Sequence, residues 1–192
     1  MLGMSFYYRI IYGVLFLLIT KPAFSQEVQW ASKILGYSSE YRPGQYGQAF
    51  RAKQILGEPS KLPDFGNSPC AWSPAEANGK NEEWIKVGFD KPISLKQVAI
   101  AENYNPGAVY KVFAYTESGK EHLLFDESAA PLTVRGRMMR VFPKQEGIMA
   151  NAIKIVLQPS RVSGFNQIDA IGISSRINRT LCRVQISLTL AQ

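Results

Sequence analysis

Between Glu83 and Ile173 apolar residues return at every second position in short bursts, and turn residues end each burst before a helix can form. In Glu83–Phe89, Ile85, Val87 and Phe89 face one way while Trp84 and Lys86 face the other, the alternation of a half-buried strand. Lys96–Glu102 follows, with Val98 and Ile100 on one face and the small Ala99 and Ala101 on the other. Ala108–Thr116 is rich in β-branched and aromatic residues, and Ser118-Gly119-Lys120 joins it to Glu121–Asp126 as a hairpin turn. Met138–Phe142, Ala152–Gln158 and Ile168–Ile173 complete the set. The gaps are too short to hold the helices of an α/β fold. The expected class is all-β, an antiparallel β-sandwich or jelly roll.

Ahead of these strands the chain reads differently. From Gln26 to about Pro74, Arg42-Pro43-Gly44, Tyr46-Gly47, Gly57-Glu58-Pro59, Leu62-Pro63 and Ser68-Pro69 break it every few residues. Proline lacks a ladder donor and glycine is costly in regular structure, so this stretch is expected to be loop, with one helical turn around Gln48–Leu56.

Residues 1–25 have the pattern of a secretory signal: Arg9, the apolar run Ile10 to Ile19, and Ala23-Phe24-Ser25 at the cleavage position. The run is shorter than the roughly 20 residues that cross a bilayer. Export to the periplasm, outer membrane or cell surface is therefore expected, with the domain in residues 26–173. Membrane association would come only through a larger envelope assembly or an uncleaved signal.

Arg9 and Lys21, together with Arg176, Arg179 and Arg183, are drawn from the 22 bases, whereas all 15 acids lie in residues 26–173. The body is thus near neutral, and Arg135, Arg137 and Arg140 are expected to be a solvated strand edge. Nucleic acid is not the expected partner, because that needs a clustered basic face. The 2 cysteines, Cys70 and Cys182, and the 1 histidine, His122, leave a Cys/His zinc site without ligands. His122 lies apart from any nucleophile motif and no GxSxG is present, so catalysis is not expected.

Several segments together resemble the discoidin-like, galactose-binding-like jelly rolls. They are Ala49-Phe50-Arg51-Ala52-Lys53-Gln54-Ile55-Leu56-Gly57-Glu58-Pro59, Ala71-Trp72-Ser73-Pro74, Glu83–Phe89, Val98–Glu102, Asn105-Pro106-Gly107-Ala108-Val109 and Gly164-Phe165-Asn166-Gln167-Ile168-Asp169-Ala170-Ile171. The pattern is similar to a variant found in an eukaryotic F-box protein and in bacterial envelope proteins. In Bacteroidetes-type bacteria that module follows the signal peptide of longer OmpA-family proteins. The resemblance implies a binding domain of the envelope and covers residues 27–173. Such relatives continue into a peptidoglycan-binding domain, and residues 174–192 match no part of it. That tail reads either as an edge strand, through Val184, Ile186, Leu188 and Leu190, or as read-through of a truncated gene.

The expected ligand is a glycan or an envelope protein, held by loops at one end of the sandwich; the alternative is a docking or structural domain without a small-molecule site. The candidate contacts are Tyr41, Arg42 and Tyr46, in a polar-aromatic loop with Tyr37 and Gln45, together with Trp72, Asn105 and Asn166. Loops on a rigid scaffold are where binding residues concentrate, and aromatic faces suit sugar rings. Two of these residues have a competing structural use: Trp72 as a plug in the sandwich and Asn105 as a turn residue before Pro106-Gly107. Asp169, in an apolar stretch, needs partners. It is read either as an acceptor for loop N–H groups or an Arg, or as a ligand of a structural calcium ion. No other cofactor is expected.

Overall fold

The computed structural model describes residues 28–44 and 46–177. Among these residues the strands are β1 (Val28–Trp30), β2 (Lys33–Tyr37), β3 (Glu83–Ser94), β4 (Gln97–Tyr104), β5 (Val109–Tyr115), β6 (Glu121–Asp126), β7 (Arg137–Val141), β8 (Met149–Leu157) and β9 (Gln167–Ser174). They form a four-stranded sheet, β1-β9-β4-β7, and a five-stranded sheet, β2-β3-β8-β5-β6. Every pairing is antiparallel. The protein is an all-β sandwich of jelly-roll type.

The alternation sets the core. Val98 and Ile100 of β4 and Ile171 and Ile173 of β9 meet Ile85, Val87, Ile153, Ile155 and Val112 of the other sheet, all fully buried. Each such side chain contributes roughly 1.5–3 kcal/mol on burial. β3 runs past the expected Phe89, because a register shift between Gly88 and Ile93 lets it pair again with Ala150.

The loop expectation for residues 26–74 misses β1 and β2. Between them the chain changes sheet: Ala31 donates to the Ile171 carbonyl, and Ser32 donates to that of Gly88. The expected helical turn is a 3₁₀ turn at Ala52–Ile55. The rest of the stretch does not hang free. Residues 60–68 are bonded to the outer face of the four-stranded sheet through Asn103, Gln167 and Asp169, and Ala99 and Ala101, on that same face, are also buried.

In this antiparallel topology the connections β2–β3, β4–β5, β6–β7 and β8–β9 leave from one end of the sandwich. They carry the three longest loops, residues 38–82, 127–136 and 158–166, and the short turn 105–108. The signal of residues 1–25, Gln45, Cys182 and the tail from residue 178 lie outside the described residues. Cys70 is exposed. No helix among the described residues is long and apolar enough to cross a membrane.

Candidate functional site

Three polar side chains on the outer face of the four-stranded sheet fix the loop end. Asp169 of β9 is 1% exposed. Its Oδ1 accepts from the Ser60 N–H at 3.0 Å and the Ser60 hydroxyl at 2.8 Å; its Oδ2 accepts from the Lys61 and Leu62 N–H groups at 2.8 and 3.1 Å. Asn103 of β4 exchanges backbone and side-chain bonds with Gly66. Gln167 of β9 accepts from Ser68 N–H and donates to Asn67 Oδ1. Residues 60–68 are thereby pinned to the sheet, which sets the position of Phe65. A buried carboxylate with four donors is a loop anchor. The calcium reading of Asp169 is corrected accordingly: its lone pairs are turned to N–H and O–H groups rather than offered to a cation.

Around that anchor lies a cleft of about 390 Å³. It is lined by Phe65 and Gly66 from the β2–β3 loop, Tyr104, Asn105 and Pro106 at the β4–β5 turn, Pro131 to Arg135 from the β6–β7 loop, and Val162 and Ser163. Phe65, Leu132 and Val134 keep 45%, 40% and 49% of their surface exposed. The Arg135 guanidinium lies over the Phe65 ring, 4.6 Å from its centroid. The lining thus combines apolar faces with hydroxyls, an amide and one fixed positive charge. That chemistry suits an amphipathic ligand of small-molecule size, and it offers no carboxylate for acid–base work.

The candidate contacts separate into three groups. Tyr41, Asn105 and Asn166 are brought together. The Tyr41 ring packs on Phe165 at 4.8 Å and Phe50 at 5.4 Å between centroids. The Asn105 amide donates to the Phe165 carbonyl, and Asn166 donates to the Asn105 carbonyl, both at 2.9 Å. Asn105 has φ +46° and Gly107 φ +109°, so the turn reading holds, and Asn105 also lines the cleft. Asn166 is 3% exposed and acts by fixing Asn105 rather than by touching a ligand. Arg42 and Tyr46 are exposed, but neither lines the cleft; Arg42 pairs with Glu40, and Tyr46 is 87% exposed. Trp72 is a correction. Its ring is fully buried, its N–H donates to the Ser39 carbonyl at 3.0 Å, and its backbone bridges Ile168, so it plugs the sandwich.

The reading from sequence did not single out Phe65, Leu132 and Val134. The available signal was a set of large apolar residues in polar, Pro-rich loops, where no strand periodicity explains them. Of the three arginines, Arg137 and Arg140 do lie on β7, the edge of its sheet; Arg135, just before it, is exposed and stacks on Phe65, whereas Arg137 turns inward to Glu102.

Glu102, 2% exposed, accepts from Arg137 and from the Gly107 N–H, tying the β4–β5 turn to β7. Burial pushes its carboxyl above the usual range, against the pull of Arg137 and Gly107. Burial also pushes Glu40 up, but the Ala52 N–H and the Arg51 and Arg42 guanidiniums outweigh it and hold that carboxyl below its usual value. Glu40 thus clamps the segment that carries Tyr41 and Phe50.

No family model matches the chain. It is 20% identical over 198 residues to F-box/LRR-repeat protein 4 of Bos taurus, covering 88% of this chain and 32% of that protein. The chain therefore spans about a third of that relative's length. Among solved structures, it is similar to the N-terminal domain of the single-strand break repair protein XRCC1, with a TM-score of 0.53, 14% identity, and 78% and 99% of the two chains covered. It is similar also to a putative chitobiase fragment from Bacteroides thetaiotaomicron, with a TM-score of 0.52, 10% identity, and 82% and 99% covered. These likenesses are of fold, and they agree with the antiparallel sandwich described above.

Proposed function

We infer that this chain is an exported, non-catalytic binding module that holds a glycan in the cleft at the loop end. One observation carries the reading: Phe65, Leu132 and Val134, all substantially exposed, converge on a cleft whose walls also present Arg135 and Asn105. A sugar needs an apolar surface for its C–H face and polar partners for its hydroxyls, and this lining offers both. A volume of about 390 Å³ is the size of site that takes one or two sugar rings. The occurrence of the same fold in a putative chitobiase is in keeping with a sugar ligand. Export rests on the pattern of residues 1–25, and an OmpA-type envelope context rests on the sequence resemblance.

A glycan array probed with the purified chain tests the binding claim. The expected result is a narrow set of bound sugars, with Phe65→Ala and Arg135→Ala together abolishing binding and leaving the melting temperature within a few degrees of the parent. Retention of every sugar by that double variant would refute the site. Cell fractionation tests export: the mature chain should begin at Gln26 in the envelope or medium, and a cytosolic chain still starting at Met1 would contradict it.

A further inference from the structure

The outer face of the five-stranded sheet carries an arrangement that the loop-end cleft does not use. Lys86 of β3 and Lys154 of β8 stand directly opposite each other, with Lys154 in turn opposite Phe113 of β5, and Phe113 opposite Leu123 of β6. All four point away from the core, which Ile85, Val87, Ile153, Ile155, Val112 and Leu124 fill from the alternate positions. Like charges placed directly opposite destabilise a sheet, so the Lys86–Lys154 pair is unfavourable in the free chain. None of the ion pairs among the described residues uses either ammonium.

Aromatic rings seat these cations instead. Lys86 Nζ reaches over β8 to within 3.3 Å of the Tyr115 ring centroid, and the small Ala152 opposite Tyr115 leaves it room. Lys154 Nζ lies 4.8 Å from the Trp84 ring, and Lys111 Nζ 4.8 Å from that of Tyr110. Beneath them Tyr110, Ala129 and Val156, with Trp84 and Phe113, form an apolar cluster separate from the core. Three ammoniums are thus held across three adjacent strands, β3, β8 and β5, and Leu123, 55% exposed, continues the row as an open apolar surface. Acids flank the row and act on two of its lysines: Glu121 bonds the Tyr115 hydroxyl and attracts Lys86, while Glu82, bonded to the Tyr110 hydroxyl, and Asp126, opposite Lys111, attract Lys111.

We propose that this face binds an acidic polysaccharide, lying across the strands with its carboxylates on Lys86, Lys154 and Lys111 and its sugar C–H surface on Phe113 and Leu123. The Lys86 and Lys154 ammoniums are seated in opposite directions, over Tyr115 of β5 and Trp84 of β3, which spreads the charge over the three central strands. Duplex nucleic acid carries a charge every ~1.7 Å, too dense for a row bounded by Glu121, Asp126 and Glu82. Protein interfaces are poor in lysine at their centre, and here lysine is the centre. This surface is independent of the cleft and stands whether or not the cleft takes a sugar.

The test uses the full chain on immobilised polygalacturonate, its uncharged methyl ester and polyglutamate. Retention on polygalacturonate is expected to exceed that on either other surface. Lys86→Gln with Lys154→Gln should weaken it about tenfold, as expected for two half-buried charge contacts. Lys86→Arg with Lys154→Arg should preserve it, and Phe65→Ala should leave it unchanged. The exposed pair Lys120→Gln with Lys144→Gln has the same net charge and should have no effect. Equal weakening by that control pair, equal retention on polyglutamate, or no retention on polygalacturonate would overturn the proposal. Circular dichroism of each variant separates loss of the surface from loss of the fold.

Discussion

Replacing Asp169 with Asn keeps the side-chain shape but turns an NH2 group toward N–H donors of the Ser60–Leu62 turn. Leaving such buried donors facing one another costs about 2–4 kcal/mol. Urea unfolding of Asp169→Asn should show that loss, and the cleft should open because residue 65 is released. The need of Asp169 for partners was legible, since a carboxylate stood in an apolar strand. Their identity was not, because Ser60 lies 109 residues away in the chain. Glu40 gives a pH prediction. Its folded carboxyl is held below 4.5, so its contribution is complete above the unfolded value and is lost as pH falls through the folded one. Stability of the parent should therefore drop on acidification below about pH 4.5, and Glu40→Gln should flatten that drop. Glu102 has the opposite sign: with its folded value raised, its contribution is full below the unfolded value and shrinks as pH rises through the folded one. Glu102→Gln, which retains an acceptor for the Gly107 N–H, should remove that part of the decline.

β1 and β2 show what the alternation cannot reveal. β1 has only 3 residues, too few to display a period, and a register shift between Ile34 and Gly36 breaks the alternation in β2. Both strands depend on close approach to neighbours already in place. At Gly172 of β9, an added Cβ would lie 2.7 Å from the Trp30 ring and 2.8 Å from Val28 Cγ1. Gly172→Ala should displace β1 and cost about 1–3 kcal/mol, as overpacking does. Hydrogen exchange locates the effect: the Ala31 amide, bonded to the Ile171 carbonyl, should lose protection while the β3–β8 amides keep theirs. Unchanged Ala31 protection would show that β1 tolerates the methyl group. A similar break occurs in β9, where Ile168 pairs with Glu102 and Ala170 with Ala101, leaving Asp169 in the shift between them. That irregularity aims the carboxylate at the loop it anchors.

For the whole molecule, strand periodicity made the sandwich legible, because each central strand has a core face that only one register satisfies. The loop end was legible in part. Tyr41, Asn105 and Asn166 do come together, whereas Trp72 turned inward, since a Pro-flanked loop gives no sign of whether an indole faces solvent or plugs the layers. Phe65, Leu132 and Val134 acquire meaning only when residues from separate loops meet. The central claim is that this meeting place holds the ligand. Its most direct measurement is a nitrogen-15 NMR titration of the chain with the neutral glycan that binds best on the array. The account predicts that amide shifts move around residues 64–66, 104–106 and 131–135 and leave β3, β8 and β5 unmoved. Shifts confined to the sheet faces, or no shift with any neutral glycan, would contradict it.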